Sequence, residues 1–173
     1  DGKVNVIDSE KSTLQLANSE TGIIQDLPKD LYMSDVVQGL GKVNFSFRNC
    51  GAKTVIVSAH KLGGPGGVGA FLVEPDMEIA PLFGGGGQEY GFRSGTENIV
   101  AIAGFGAAIQ FAKKKLDEGE WERVRELRDY LENELKNISE NTIFVGRNTS
   151  RLPNTSCIVT PKWKAETQVI QMD

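Results

Sequence analysis

At 173 residues, 39% hydrophobic and 24% charged, the chain can bury the core of one ordinary globular domain, or of one domain and part of another. A net charge of −4 provides no general field for nucleic acid or an anionic membrane surface, and no apolar stretch approaches the roughly 20 residues that span a bilayer. Cys50 and Cys157 lack C-x-x-C spacing and are accompanied by the single histidine, His60, which speaks against a disulfide scaffold and against a metal site.

In chain order, Thr13 to Ala17 are strand-compatible, and the turn residues Asn18-Ser19-Glu20-Thr21-Gly22 break that run. The β-branched "VIVS" at 55–58 reads as a strand buried on both faces of an α/β sheet. After a glycine run, "VGAFLVEP" at 68–75 reads as a short strand stopped by Pro75. Ser94 and Glu97 have the spacing of a capping box, which predicts a helix from about Thr96 through the apolar "IVAIAGFGAAIQFA" at 99–112. Lys113, Lys114 and Lys115, set among Asp117, Glu118 and Glu120, read as its solvated end.

Past Gly119, the residues Trp121, Val124, Leu127, Leu131, Leu135 and Ile138 recur at steps of three and four, the core-facing stripe of an amphipathic helix. "TIFVG" (142–146) and "SCIVT" (156–160) are two further strands, and "KAETQVIQMD" begins a helix. The expected organisation is a larger unit over 1–118 and part of a small α+β domain over 119–173. With no initiator Met and an end inside a helical pattern, the chain reads as a piece of something longer.

The glycine run is tested against three chemistries. Residues 64–69, G-P-G-G-V-G, match G-x-G-x-x-G after a strand. A dinucleotide fingerprint, however, needs the last glycine to open a helix, and strand is expected at Gly69. A Walker loop fails because Lys61 precedes the glycines. Ser58-Ala59-His60-Lys61 remains. On an extended backbone Ser58 and His60 project to one side and Lys61 to the other. Lys61 is either a surface lysine opening a loop or, if the site strips its solvation and lowers its pKa, an amine able to form an imine with an aldehyde.

Together, "SAHKLGGPGGVGAFLV", "GGGQEYGFRSGTEN" and "NSETGIIQ", with "RLPNTSCIVT" and the following "AET", resemble the cysteine desulfurases of the class V aminotransferase group in the family's order. The resemblance implies the pyridoxal-phosphate transferase fold of the aspartate aminotransferase type: α/β, with a mainly parallel central sheet, flanking helices and part of a small α+β domain. It implies that Lys61 binds pyridoxal phosphate covalently and moves the substrate α-proton. By the same resemblance, His60 and Ser58 hold the cofactor phosphate, a dianion that calls for hydroxyl, imidazole and amide donors. "DVVQGLGKV" matches the segment in which Asp35 pairs with the pyridinium nitrogen and Gln38 binds the ring oxygen. The contact near that oxygen falls on Asn18 and Ser19, where relatives carry a second Asn. Thr96 matches a residue that reaches the phosphate of a neighbouring subunit, which implies a homodimer with shared active sites.

The implied reaction takes sulfur from L-cysteine, leaving L-alanine and a persulfide that passes to an acceptor such as an iron–sulfur scaffold, in the cytoplasm, with no role for nucleic acid or membrane. The implied alternatives are another class V aminotransferase, a selenocysteine lyase, or a non-catalytic folded remnant. Several family features are missing: an upstream phosphate-binding Thr, a His stacked on the ring, an Arg for the substrate carboxylate and the mobile loop with the nucleophilic Cys. The chain by itself is therefore expected to be inactive. Cys157, in an apolar strand with no base beside it, and Cys50 read as packing residues of a reducing compartment. From Gln25 to Asp35 the chain is too short for a strand–helix–strand crossover, and a deletion of that helix is expected to destroy the sheet.

Overall fold

A computed structural model describes residues 2–81 and 83–173. The main sheet has four strands in the order β1 (Thr13–Gln15), β2 (Leu31–Asp35), β3 (Ala52–Ser58) and β4 (Gly69–Val73). The first three are parallel, with Gln15 opposite Asp35 and Asp35 opposite Ile56. β4 folds back antiparallel on β3, bringing Ser58 opposite Gly69. Gly69 thus begins a strand, as expected, which removes the helix a dinucleotide fingerprint needs. β2 has no simple alternation of apolar residues, yet it is the second central strand. Its buried Ser34 is satisfied by donating to the Leu14 carbonyl at 2.8 Å, and Thr54 of β3 donates to the Tyr32 carbonyl at 2.7 Å.

The missing crossover helix does not cost the sheet, contrary to expectation. Residues 16–30 connect β1 to β2 without one. The chain turns at 18–22, pairs Ile24 back with Ala17, and hands Ile23 to Arg151 in a second isolated bridge. Loop backbone that would otherwise need a helix to satisfy it is bound by the C-terminal part of the chain: Ile24 N donates to Ser150 O at 2.9 Å and Leu152 N to Gly22 O at 2.8 Å. Beneath the sheet, Leu14, Leu16, Leu31, Val36, Ala52 and Val55 form one buried cluster.

Two helices follow, α1 (Ile99–Asp117) and α2 (Glu120–Ile138), joined at Gly119, which adopts φ +76°. The capping box does not form. Gly95 lies at φ +102°, Ser94 Oγ turns away to the Phe83 carbonyl at 3.2 Å, and the N-cap is Asn98, whose Oδ1 accepts from Ala101 N at 3.1 Å. The lysine run ends α1 in ion pairs with Asp117, Glu118 and Glu120, as read from the sequence.

The stripe on α2 departs from expectation. Trp121, Val124 and Leu135 are half-buried, but Leu127, Leu131 and Ile138 are 60%, 46% and 82% exposed. The buried residue of this helix is instead Glu132. Both of its oxygens bind Arg151, at 2.8 and 3.0 Å, and Oε1 also accepts from Ser156 Oγ at 2.7 Å. β5 (Ile143–Phe144) and β6 (Ile158–Val159) form a short antiparallel pair, and α3 spans Ala165–Met172. The three elements lie where the sequence placed them, the strands shorter. Among the described residues no helix is long and apolar enough to cross a membrane.

Candidate functional site

Parallel strands that share a register end on a common edge. Asp35 closes β2 and Ser58 closes β3, while the Asn18–Ser19 turn lies just beyond the end of β1. The carboxyl edge of a parallel sheet is where ligands bind in α/β folds, because loops diverge there and leave a crevice. Six of the expected residues, Asn18, Ser19, Asp35, Ser58, His60 and Lys61, thus occupy three successive strand ends, and Gln38 follows on the turn after β2.

The chain does not stay extended past Ser58. Ala59–Leu62 wind into a 3-10 turn, with Ala59 fully buried and His60 and Lys61 exposed. The turn, rather than strand alternation, brings Ser58 Oγ within 2.8 Å of His60 Nδ1. If the hydroxyl donates to Nδ1, the other ring nitrogen carries the proton and is a donor to the outside. A hydroxyl and an imidazole fixed side by side at a sheet edge suit an anion with several oxygens.

Helix α1 supports this turn through small residues. A Cβ added to Gly64 would lie 3.0 Å from Ala108 Cβ and 3.1 Å from the Ala59 carbonyl. Gly41 has φ +74°, and a Cβ there would meet Leu62 at 2.7 Å and Ala112 at 2.9 Å. Glycine at 41 therefore lets three elements meet: the loop after β2, the lysine turn and α1. The indole of Trp121 on α2 donates to the Gly41 carbonyl at 2.6 Å and holds that loop in place.

In the loop, Val36–Val43 coil through backbone bonds from Gly39 and Leu40 to Val36 O and from Lys42 and Val43 to Gly39 O. Asp35 Oδ1 caps its start by accepting from Val37 N at 2.9 Å. Lys42 Nζ reaches back four residues to the Gln38 carbonyl at 2.9 Å and to Gln38 Oε1 at 3.4 Å. The loss of solvation expected at Lys61 falls on this second lysine. Burial lowers the Lys42 pKa, and the charge of Lys61 nearby lowers it further. Sequence reading missed Lys42; its spacing of four from Gln38, with two glycines between, was the available signal.

Thr96 sits apart. It is exposed in the loop before α1, and its carbonyl accepts a long bond from Arg93 at 3.4 Å. Asn18 Oδ1 is spent on its own turn, accepting from Glu20 N and Thr21 N at 3.0 and 2.9 Å, while Ser19 is exposed. Both cysteines are free and half-buried. Cys50 Sγ lies 3.2 Å from the Phe47 carbonyl.

The donor set fits pyridoxal phosphate by its chemistry: an amine, a hydroxyl–imidazole pair, a carboxylate and an amide on one sheet edge, beside glycines at 63, 66 and 67 whose Cβ positions open into empty space. Comparison with known proteins gives the family. The profile of the family Aminotransferase class-V matches residues 12–172. A cysteine desulfurase of Gluconacetobacter diazotrophicus is 38% identical over 154 residues, 84% of this chain and 38% of that protein. The cysteine desulfurase IscS of Dictyoglomus turgidum is 40% identical over 147 residues, 80% of this chain and 37% of that protein. The solved structure of a NifS-like protein from Rickettsia africae superimposes with a TM-score of 0.84 at 35% identity, covering 91% of this chain and 46% of that one. The chain thus spans less than half the length of these relatives. The chain belongs to the class-V aminotransferase family, whose members depend on pyridoxal phosphate.

Proposed function

We propose that the protein is a pyridoxal-phosphate-dependent cysteine desulfurase in which Lys61 is the cofactor lysine. The observation that carries this is the placement of Ser58 at the end of β3 and of His60 and Lys61 just past it, on the edge where β2 ends at Asp35. Bound there, the cofactor supplies an electron sink for the pair left at Cα when the substrate loses its α-proton.

The chain's own groups divide the work. The Lys61 amine would hold the cofactor aldehyde and would be the base that takes the substrate α-proton. His60 would donate to the phosphate through Nε2, and the Ser58 hydroxyl would do so by turning its one proton from His60 Nδ1 to a phosphate oxygen. Asp35 would face the ring nitrogen, Gln38 would donate to the ring oxygen, and the Asn18–Ser19 turn would border the same oxygen. Thr96, standing clear of these residues, reaches the phosphate of a second copy in a homodimer. The substrate is L-cysteine, and its sulfur leaves to a thiol carried outside the positions of Cys50 and Cys157. An iron–sulfur scaffold in the cytoplasm is the acceptor. Residues 1–118 belong to the cofactor-binding unit and 119–173 to the start of the small one.

Sulfide and alanine released in equal amounts from L-cysteine by the full-length protein under a thiol reductant, and lost in Lys61→Ala, is the expected result. Amino-group exchange with a keto acid and no sulfide would make the protein a transaminase of the same family.

A further inference from the structure

Lys42 is a half-buried cation close enough to feel the charge of Lys61, and the roles above leave it unused. An ammonium only donates, so Gln38 must present oxygen to it, and both Gln38 oxygens do so, at 2.9 and 3.4 Å. The Gln38 amide NH2 is then the end left for a ligand. An isolated glutamine has no such preference, since its amide can turn over with little change in shape.

The backbone that carries the lysine is fixed by packing and hydrogen bonds. Gly41 lets its loop lie against Leu62 and Ala112, Trp121 ties the Gly41 carbonyl, and Lys42 N closes the turn onto Gly39 O at 3.0 Å. The charged groups around it are otherwise engaged. Glu122 and Arg125 of α2 line the same cleft and bind each other. Arg151, also in that cleft, is bound to Glu132. Asp35 at the head of the loop accepts from Val37 N. Lys61 is the remaining neighbour whose charge Lys42 feels.

We propose that Lys42 is a positioning residue: its ammonium locks the Gln38 amide with NH2 toward the ligand and places a fixed positive charge behind it, suited to an anionic ring oxygen. This rests on the reading of Lys61 as the cofactor lysine. The burial that lowers the Lys42 pKa is what an internal, rather than solvated, ammonium would experience.

The test compares wild type, Lys42→Met and Lys42→Arg, each incubated with pyridoxal phosphate, with folding checked by circular dichroism. Three quantities are read: the residue labelled after borohydride reduction, the dissociation constant, and the pH midpoint of the visible absorbance. Labelling at Lys61 is expected in all three. In Lys42→Met the dissociation constant rises on the order of tenfold, as for a lost charge-assisted bond. Its midpoint rises by roughly one pH unit, because removing a nearby positive charge makes any proton easier to hold. Lys42→Arg stays near wild type. Labelling at Lys61 with an unchanged midpoint and affinity in Lys42→Met would overturn the role of Lys42 alone, as would Lys42→Arg behaving like Lys42→Met. Wild type that takes no label at Lys61 would overturn the cofactor reading itself, and this inference with it.

Discussion

Ser58 Oγ and His60 Nδ1 stand 2.8 Å apart because the chain leaves the sheet at Ser58 and winds at once into a tight turn. A strand of the same sequence would hold the two side chains on one face but at the spacing of alternate residues. The turn closes that distance and fixes the hydroxyl and the imidazole side by side.

If the pair holds a phosphate, Ser58→Ala should weaken binding of pyridoxal phosphate about tenfold. Binding of pyridoxal, which lacks the phosphate, should change little. Equilibrium dialysis of both ligands separates the two effects; equal loss for both would assign Ser58 to the ring instead.

The Glu132–Arg151 pair is a stability determinant. Both side chains are buried, and removing Arg151 takes two hydrogen bonds from a carboxylate that keeps Ser156 and, at 3.8 Å, Arg147. Arg151→Met should therefore cost about 3–5 kcal/mol, measured as a shift of the denaturant midpoint at constant slope. A loss below 1 kcal/mol would mean that Arg147 and Ser156 hold the carboxylate without Arg151.

The same carboxylate gives an acid limb. Burial tends to raise the Glu132 pKa, but hydrogen bonds from Arg151 and Ser156, with the charges of Arg151 and Arg128, outweigh it and hold the pKa below the ordinary value of 4.5. The native state thus binds this proton less tightly than the unfolded chain does. Its stabilising contribution is complete above the ordinary value and fades as pH falls from 4.5 through the lower native value. In Glu132→Gln, unfolding free energy plotted against pH should lose part of its slope over that range.

Gly41→Ala should destabilise by about 1–3 kcal/mol, since the residue has positive φ and its methyl would press on Leu62 and Ala112. Because Leu62 ends the lysine turn, cofactor uptake should fall with stability. Thermal unfolding and absorbance of the loaded protein report the two losses.

The two candidate caps of α1 can be told apart. Asn98→Ala should cost about 1 kcal/mol, while Ser94→Ala should cost a few tenths at most, because only Asn98 caps the helix. Chemical denaturation of the pair settles the order.

What sequence could and could not reveal follows from the range of the interactions. β3 and β4 were legible because "VIVS" and "AFLV" declare themselves locally, and the family motifs carried the site residues by order alone. β2 was not legible: Tyr32, Ser34 and Asp35 carry no strand pattern, and the strand exists because Leu14 and Thr54, on its two neighbours, satisfy it. Glu132 was hidden for the same reason, its partner lying 19 residues downstream. The period that singled out Leu127 and Leu131 as core describes a face that this chain leaves exposed. Lys42 was overlooked because its burial depends on Gly41 fitting under Leu62, a contact no periodicity encodes.

The function proposed for this protein turns on which amine meets the aldehyde. Borohydride reduction of the protein loaded with pyridoxal phosphate, followed by peptide mass spectrometry, addresses it directly. A pyridoxyl group on Lys61, absent in Lys61→Ala, is the predicted result; label on Lys42, or on neither lysine, would contradict the account.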